Sequence, residues 1–237
     1  VSANEGPDRL VLLPGMGCTA ALWSRLDLGI ETITPYLEEP SVEGEVDRLL
    51  SLLPDRFDLV GLSLGAVVAM ALVRRSPERV SRLCVMSTNP YGPTDRQRQG
   101  WAAQRRELAG GSARSLQASL LPSLLSPRVL AERSDLVELT LGMADALGSD
   151  GYDRQLQLQS TRVDERPGLA AIHCPTLVVA AADDRLCPVT RHTEIAQLVP
   201  GATLAVLPDC AHLSPLERPD RVAALLRAWR RSPKLER

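Results

Sequence analysis

Between Asp58 and Arg75 the chain passes from one apolar run to another with a single residue between them. Asp58-Leu-Val-Gly-Leu62 reads as a buried β-strand, and Leu64 to Arg75, apolar nearly all round, reads as a buried helix. Ser63 alone joins the two. A buried strand that turns straight into a buried helix belongs to a sheet covered by helices, because such strands need apolar cover on both faces. The same alternation recurs on either side. Arg9 to Leu13 is an apolar strand ended by Pro14-Gly15, Thr19 to Leu26 a short helix, and Glu31 to Tyr36 an alternating edge strand. Val42 to Leu53 carries Val46, Leu49, Leu50 and Leu53 as a helical stripe, and Arg82 to Ser87 is a third apolar strand. Later come strands at Pro175 to Ala182 and Ala202 to Leu207, with a helix at Val189 to Leu198 between them. A closing helix spans Pro215 to Trp229, with Ser214-Pro-Leu-Glu217 supplying its N-cap, first-turn Pro and N3 Glu. The expected fold class is α/β, a parallel sheet of about six strands with helices on both faces.

From Asn89 to about Arg166 no strand is legible. Thr94-Asp-Arg-Gln97 reads as a capping box, and Leu136, Thr140, Met143 and Leu147 share one helical face. The expected organisation is therefore a core made of residues 1–88 and 167–237, interrupted by a helical insertion at 89–166. This insertion is expected to carry no catalytic residue.

In parallel sheets of this kind, ligands bind beyond the C-terminal ends of the strands. The loops after Leu13, Leu62, Ala182 and Leu207 should therefore converge, and they hold the candidate chemistry. Gly61-Leu-Ser-Leu-Gly65 is a G-x-S-x-G motif. A nucleophile on so tight a turn needs neighbours without side chains two before and two after it. The bare motif arises by chance in about one chain in ten of this length, so its strand–turn–helix setting carries the argument. Ser63 at the helix N-terminus is the candidate nucleophile. A serine needs a base, and of the three His, His212 in Asp209-Cys-Ala-His-Leu follows the last strand on the side where Ser63 lies. His173 and His192 read as surface or structural. The imidazole needs an orienting acid. Asp183 and Asp184 both end the strand that starts at Pro175 and point opposite ways; Asp184 is the preferred one, and Asp209 reads as a turn residue. An oxyanion hole would draw on the backbone N–H of Leu64 and one from Pro14-Gly-Met-Gly17, with Met16 the candidate.

Taken together, Gly-Leu-Ser-Leu-Gly, Asp184-Arg-Leu-Cys-Pro188 and Cys-Ala-His212 ahead of a final helix resemble the α/β-hydrolase superfamily, in its chain order Ser…Asp…His. The resemblance is to its compact bacterial carboxylesterases of the pimeloyl-carrier-protein methyl esterase type. It implies a serine hydrolase cleaving a carboxylic ester, thioester or lactone through an acyl-enzyme, and it makes residues 89–166 a lid. Where many relatives have His-Gly in the oxyanion turn, this chain has Pro14-Gly15. The same triad could serve a lyase, C–C hydrolase or cyclase, and the same fold a non-catalytic binding protein.

Composition narrows the partners. A net charge of −2 gives no electrostatic case for nucleic acid or an anionic membrane, and no apolar run is long enough to span a bilayer. The five Cys show no C-x-x-C, there is no H-E-x-x-H, and no phosphate-loop or dinucleotide fingerprint occurs. No metal or organic cofactor is expected. The first eight residues have neither a basic start nor an apolar core, so no signal peptide is expected, and a cytoplasmic location follows with free thiols. The expected partner is a small-molecule carbonyl substrate, free or as a carrier-protein-bound acyl group. Five Arg against two acids between Thr94 and Arg114 would suit a carboxylate, a phosphate or an acidic carrier, or form a solvated helix face. Leu120, Leu124, Leu139 and Met143 would suit an aliphatic pocket or plain core.

Overall fold

The computed structural model describes residues 9–233; the octet read for a signal peptide lies outside them. Six strands form one parallel sheet: β1 (Arg9–Leu13), β2 (Thr32–Ile33), β3 (Phe57–Leu62), β4 (Val80–Met86), β5 (Thr176–Ala181) and β6 (Thr203–Leu207), in the order β2-β1-β3-β4-β5-β6. Alternate residues on each strand feed two separate cores. Leu12, Val60, Cys84 and Leu177 sit side by side on adjacent strands and belong to one core. Val11, Leu13, Leu59, Leu83, Val85 and Val178 belong to the other. Helices α1 (Val42–Leu52), α2 (Leu64–Arg75) and α8 (Val189–Leu198) cover this second face; α10 (Pro219–Arg230), behind the short α9 (Ser214–Glu217), covers the first.

Between β4 and β5 the chain forms α3 (Asp95–Gly110), α4 (Ala113–Leu124), α5 (Pro127–Glu132), α6 (Ser134–Thr161) and the short α7 (Arg166–Leu169). The Thr94–Gln97 capping box opens α3. Gly148, at φ 66°, kinks α6. Leu136 and Met143 before the kink pack on the sheet's first core, while Tyr152 and Leu156 after it join a small core of the helices' own. The segment is not detached from the sheet domain: Leu158 enters the second core, and the Val42 N–H donates to Thr161 Oγ1.

Three sequence expectations need correction. Thr19 to Leu26 yields only a 3-10 turn, Ala20–Trp23, capped by Thr19. The strand expected over Glu31 to Tyr36 shrinks to Thr32–Ile33; Pro35 has no N–H to offer a sheet. The closing helix is split, because Pro219 forces Arg218 out of the helical region (φ −133°, ψ 53°). Ser214 consequently lies inside α9 and makes no cap hydrogen bond. Glu217 binds elsewhere, accepting from the N–H groups of Ser126 and Ala211.

The junction between β3 and α2 leaves no room for side chains at either glycine. A Cβ on Gly61 would lie 2.4 Å from the Gly65 carbonyl oxygen, and one on Gly65 would lie 2.2 Å from that of Leu13. Both contacts are with backbone, which cannot swing aside. Gly65→Ala should lower stability by about 3 kcal/mol or more, read as a shifted urea midpoint. An unchanged midpoint would show that β1 and α2 can separate freely.

His192, on α8, is fully buried. Its Nε2 accepts from the Thr88 N–H at 2.9 Å, so Nδ1 carries the proton and faces the Pro188 carbonyl oxygen at 3.3 Å. Burial holds its pKa below the ordinary 6.5, against smaller upward pulls from Pro188 and Asp184. The neutral form is therefore the stabilising one. Its contribution is complete above pH 6.5 and is lost as pH falls from 6.5 toward the depressed folded value. His192→Leu should cost about 1–3 kcal/mol at pH 7.5 by orphaning the Thr88 N–H. It should also flatten the fall in urea midpoint between pH 7.5 and 5.5; an equal slope in both proteins would assign that titration to other groups.

Candidate active site

The close approach of α2 to β1 fixes the conformation of the residue between strand and helix. Ser63 has φ 54° and ψ −112°, a strained position for a residue with a Cβ. Its N–H continues the sheet, donating to the Met86 carbonyl oxygen at 2.9 Å. Its carbonyl accepts from Thr88 Oγ1 and from the N–H groups of Ala66 and Val67 in α2. Everything around Ser63 in that segment is buried, and Ser63 itself is half-buried.

The loop after β5 separates the two candidate acids as alternation requires. Asp183 is exposed, whereas Asp184 is 5% exposed and its Oδ2 lies 2.8 Å from His212 Nδ1. Asp184 Oδ1 accepts from the N–H groups of Leu186 and Cys187, at 2.8 and 2.9 Å. Burial pushes this carboxyl up, but the charge and hydrogen bond of His212 and the two N–H donors outweigh it, and the net shift is downward. Asp184 therefore stays ionised, and His212 Nδ1 is the protonated nitrogen. The His212 loop is held on both sides: the Ala211 N–H donates to Glu217, and the Leu213 N–H to the Leu124 carbonyl oxygen. Of the other candidates, His173 and Asp209 are exposed, the latter in a turn with φ 49°.

Ser63, His212 and Met16 line one cavity of about 260 Å³. Ser63 and His212 share its wall without a hydrogen bond between them. Leu64 begins α2, so its N–H has no carbonyl four residues back within the helix, and neither it nor the Met16 N–H bonds to backbone among the described residues. Leu120 and Leu124 line the cavity as the aliphatic-pocket reading expected; Leu139 and Met143 do not, and pack in the sheet's first core.

Sequence reasoning missed what holds the turn after β1. Gly17 has φ 71°, its N–H donates to Gln155 Oε1 at 2.8 Å, and its carbonyl accepts from Gln117 Nε2. Tyr152 donates to Gln117 Oε1 at 2.7 Å, its phenol kept protonated by burial. These three side chains come from α4 and α6, inside the segment expected to carry no catalytic residue. A signal existed: Tyr152, Gln155, Leu156 and Gln159 form one helical face, and two glutamines in an otherwise apolar stripe mark buried polar work.

Asp184, Cys187 and His212 are close enough to resemble a metal ligand set. The donor chemistry does not fit one. Asp184 already accepts from three N–H groups, His212 Nδ1 is a donor to it, and burial pushes the Cys187 thiol up to about 12, far from thiolate.

Comparison with known proteins places this geometry. The pimeloyl-[acyl-carrier protein] methyl ester esterase of Aromatoleum aromaticum is 29% identical, over 93% of this chain and 96% of its own length. The biotin biosynthesis bifunctional protein of Cellvibrio japonicus is 26% identical over 90% of this chain, which spans only 45% of that longer protein. The enol-lactonase of Burkholderia xenovorans has the same fold, with a TM-score of 0.83 at 18% identity over 96% of this chain and 93% of that one. Residues 10–225 match the profile of the Alpha/beta hydrolase family, and the chain belongs to that family as an enzyme whose relatives are named esterases, hydrolases and lipases.

Proposed function

We propose that this enzyme is a serine ester hydrolase with Ser63 as nucleophile, His212 as base and Asp184 as orienting acid. The observation that carries the reading is the 2.8 Å bond between Asp184 and His212 on the wall of the cavity to which strained Ser63 opens. Asp184 fixes the proton on Nδ1, which leaves Nε2 free to take the Ser63 proton as Oγ adds to the carbonyl carbon. Substrate closes the Ser63–His212 gap, as catalytic hydrogen bonds tighten in the Michaelis complex. The N–H groups of Leu64 and Met16 hold the oxyanion, and His212 then returns its proton to the leaving alcohol. Water, activated by the same imidazole, releases the acid from Ser63.

Residues 89–166 act in this reading as a lid that shapes the cavity and steadies the oxyanion turn through Gln117, Tyr152 and Gln155. The substrate class is a small carboxylic ester, thioester or lactone. The Aromatoleum relative is named for a carrier-protein-bound ester. Here, however, three of the five arginines that could meet an acidic carrier are engaged within the chain. Arg98 bonds to the Ser160 carbonyl oxygen, Arg105 to Asp153, and Arg114 to Glu138 and Asp145. That favours a free ester over a carrier-bound one. Among the described residues no helix is long and apolar enough to cross a membrane, and five free thiols suit a reducing, cytoplasmic setting.

A fluorophosphonate should add covalently to the native enzyme at Ser63, seen as an intact-mass shift mapped to that peptide. Ser63→Ala should abolish the adduct. His212→Ala and Asp184→Asn should each lower kcat on a small activated ester by about 10³–10⁴-fold with little change in melting temperature. A folded enzyme that resists labelling would point instead to proton-transfer chemistry, and an adduct that survives Ser63→Ala would move the nucleophile elsewhere.

A further inference from the structure

One wall of the same cavity is cationic, and ester cleavage alone gives it nothing to do. Arg162 follows α6, lines the cavity with Ser63 and His212, and is 6% exposed. Its Nη1 donates to Gln159 Oε1 at 3.2 Å, and its guanidinium carbon stands 5.3 Å from the ring centroid of Trp101. Its Nε and Nη2 are buried with no hydrogen-bond partner. Among the described residues no carboxylate pairs with Arg162, and the charge of Arg98, which acts on it, is another cation. Gln104 Oε1, also in the cavity wall, is likewise buried and unpartnered; half a turn of that amide would present its N–H₂ instead.

Other arginines in the chain show what such an edge is for. Arg105 grips Asp153 through Nε and Nη2, Arg133 grips Asp135, Arg166 grips Asp164, and Arg74 grips Glu165. Arg162 holds open the same two-donor edge, in the one setting where water cannot fill it cheaply. A buried ion without a partner is costly, and a ligand that completes the pair recovers that cost. The edge matches a planar carboxylate. It also matches one negative charge: Arg162 is the one Lys or Arg among the residues lining the cavity, so a phosphate dianion would keep an uncompensated charge among Leu120, Leu124 and Leu213.

We propose that Arg162 anchors a carboxylate carried by the substrate, so that the preferred ester is a half-ester of a short dicarboxylic acid rather than an uncharged fatty ester. The proposal rests on the ester-hydrolase reading of Ser63. Trp101 and Gln159 act as positioning residues that hold the guanidinium plane.

The test compares monoethyl succinate, glutarate and adipate with ethyl pentanoate by acid release at constant pH. At least one half-ester should exceed the neutral ester by tenfold or more in kcat/KM. Arg162→Gln should collapse that ratio toward one, through a loss on the half-ester about equal to the wild-type preference and carried mainly by KM, and Arg162→Lys should restore part of it. A second measurement needs no catalysis. Calorimetry on folded Ser63→Ala enzyme should detect the intact half-ester, and glutarate should displace it better than inorganic phosphate does. A preference for ethyl pentanoate in wild type, or a ratio unmoved in folded Arg162→Gln, would overturn the proposal, as would stronger displacement by phosphate. Binding to Ser63→Ala without turnover or fluorophosphonate labelling in wild type would instead sink the hydrolase reading and leave the carboxylate site standing.

Discussion

The architecture depends on one backbone contact, the passage of α2 across the end of β1 at Gly65. No side chain fits there, since a Cβ would fall 2.2 Å from the Leu13 carbonyl oxygen. With helix and strand that close, the link between β3 and α2 has room for a single residue. That residue must leave the strand at positive φ, and Ser63 does so at 54°. The sheet holds it there through the bond to Met86, and Thr88 holds it through its carbonyl. The serine is therefore raised out of the sheet by the packing of two glycines rather than by any contact of its own hydroxyl. The strain is offset by two cores that alternate along every central strand, so the backbone conformation is imposed from well outside the site.

This part of the molecule was legible because it is governed by period and local sterics. Strand residues alternate between two apolar faces, and that alternation is written directly in the chain at β1, β3, β4 and β5. That only one of Asp183 and Asp184 could face the site follows from the same rule, since adjacent residues at a strand end point opposite ways; the bond to His212 at 2.8 Å shows that it is Asp184. Legibility failed where a single proline changed the outcome. Pro35 truncated β2 and Pro219 split the last helix, each by removing a donor and constraining the residue before it. It failed again where polar side chains meet across a hundred residues or more. Gln155 and Gly17 are bonded at 2.8 Å but are separated by most of the chain. Arg162 was one arginine among many until its surroundings showed Nε and Nη2 buried without a partner.

Charge is distributed unevenly along the strand axis. At the start of β3, buried Asp58 is answered twice, by Arg82 on β4 at 3.1 Å and by Arg230 on α10 at 2.9 Å. Arg82 also donates to the Ser232 carbonyl oxygen, closing the C-terminal end of the chain onto the sheet. The buried carboxylate at that end of the sheet is thus paired on both oxygens. At the opposite end the polar groups of the cavity are left partly open, on Arg162, Gln104 and the two N–H groups beside Ser63. Buried charge is answered at the first edge, whereas buried donors stay open at the second.

The hydrogen bonds at Gly17 bear on how such an enzyme could be re-engineered. The helices of 89–166 look like a removable cassette, since they enter and leave the sheet between two neighbouring strands. Yet Gln117, Tyr152 and Gln155 clamp the turn after β1 from both sides, and a Cβ on Gly17 would lie 2.4 Å from Gln117 Oε1. The cassette and the four-residue turn after β1 are thus a single structural unit. A chimera that transplants the helices of a relative must transplant residues 14–17 with them, or the graft will leave that turn without its hydrogen-bond partners.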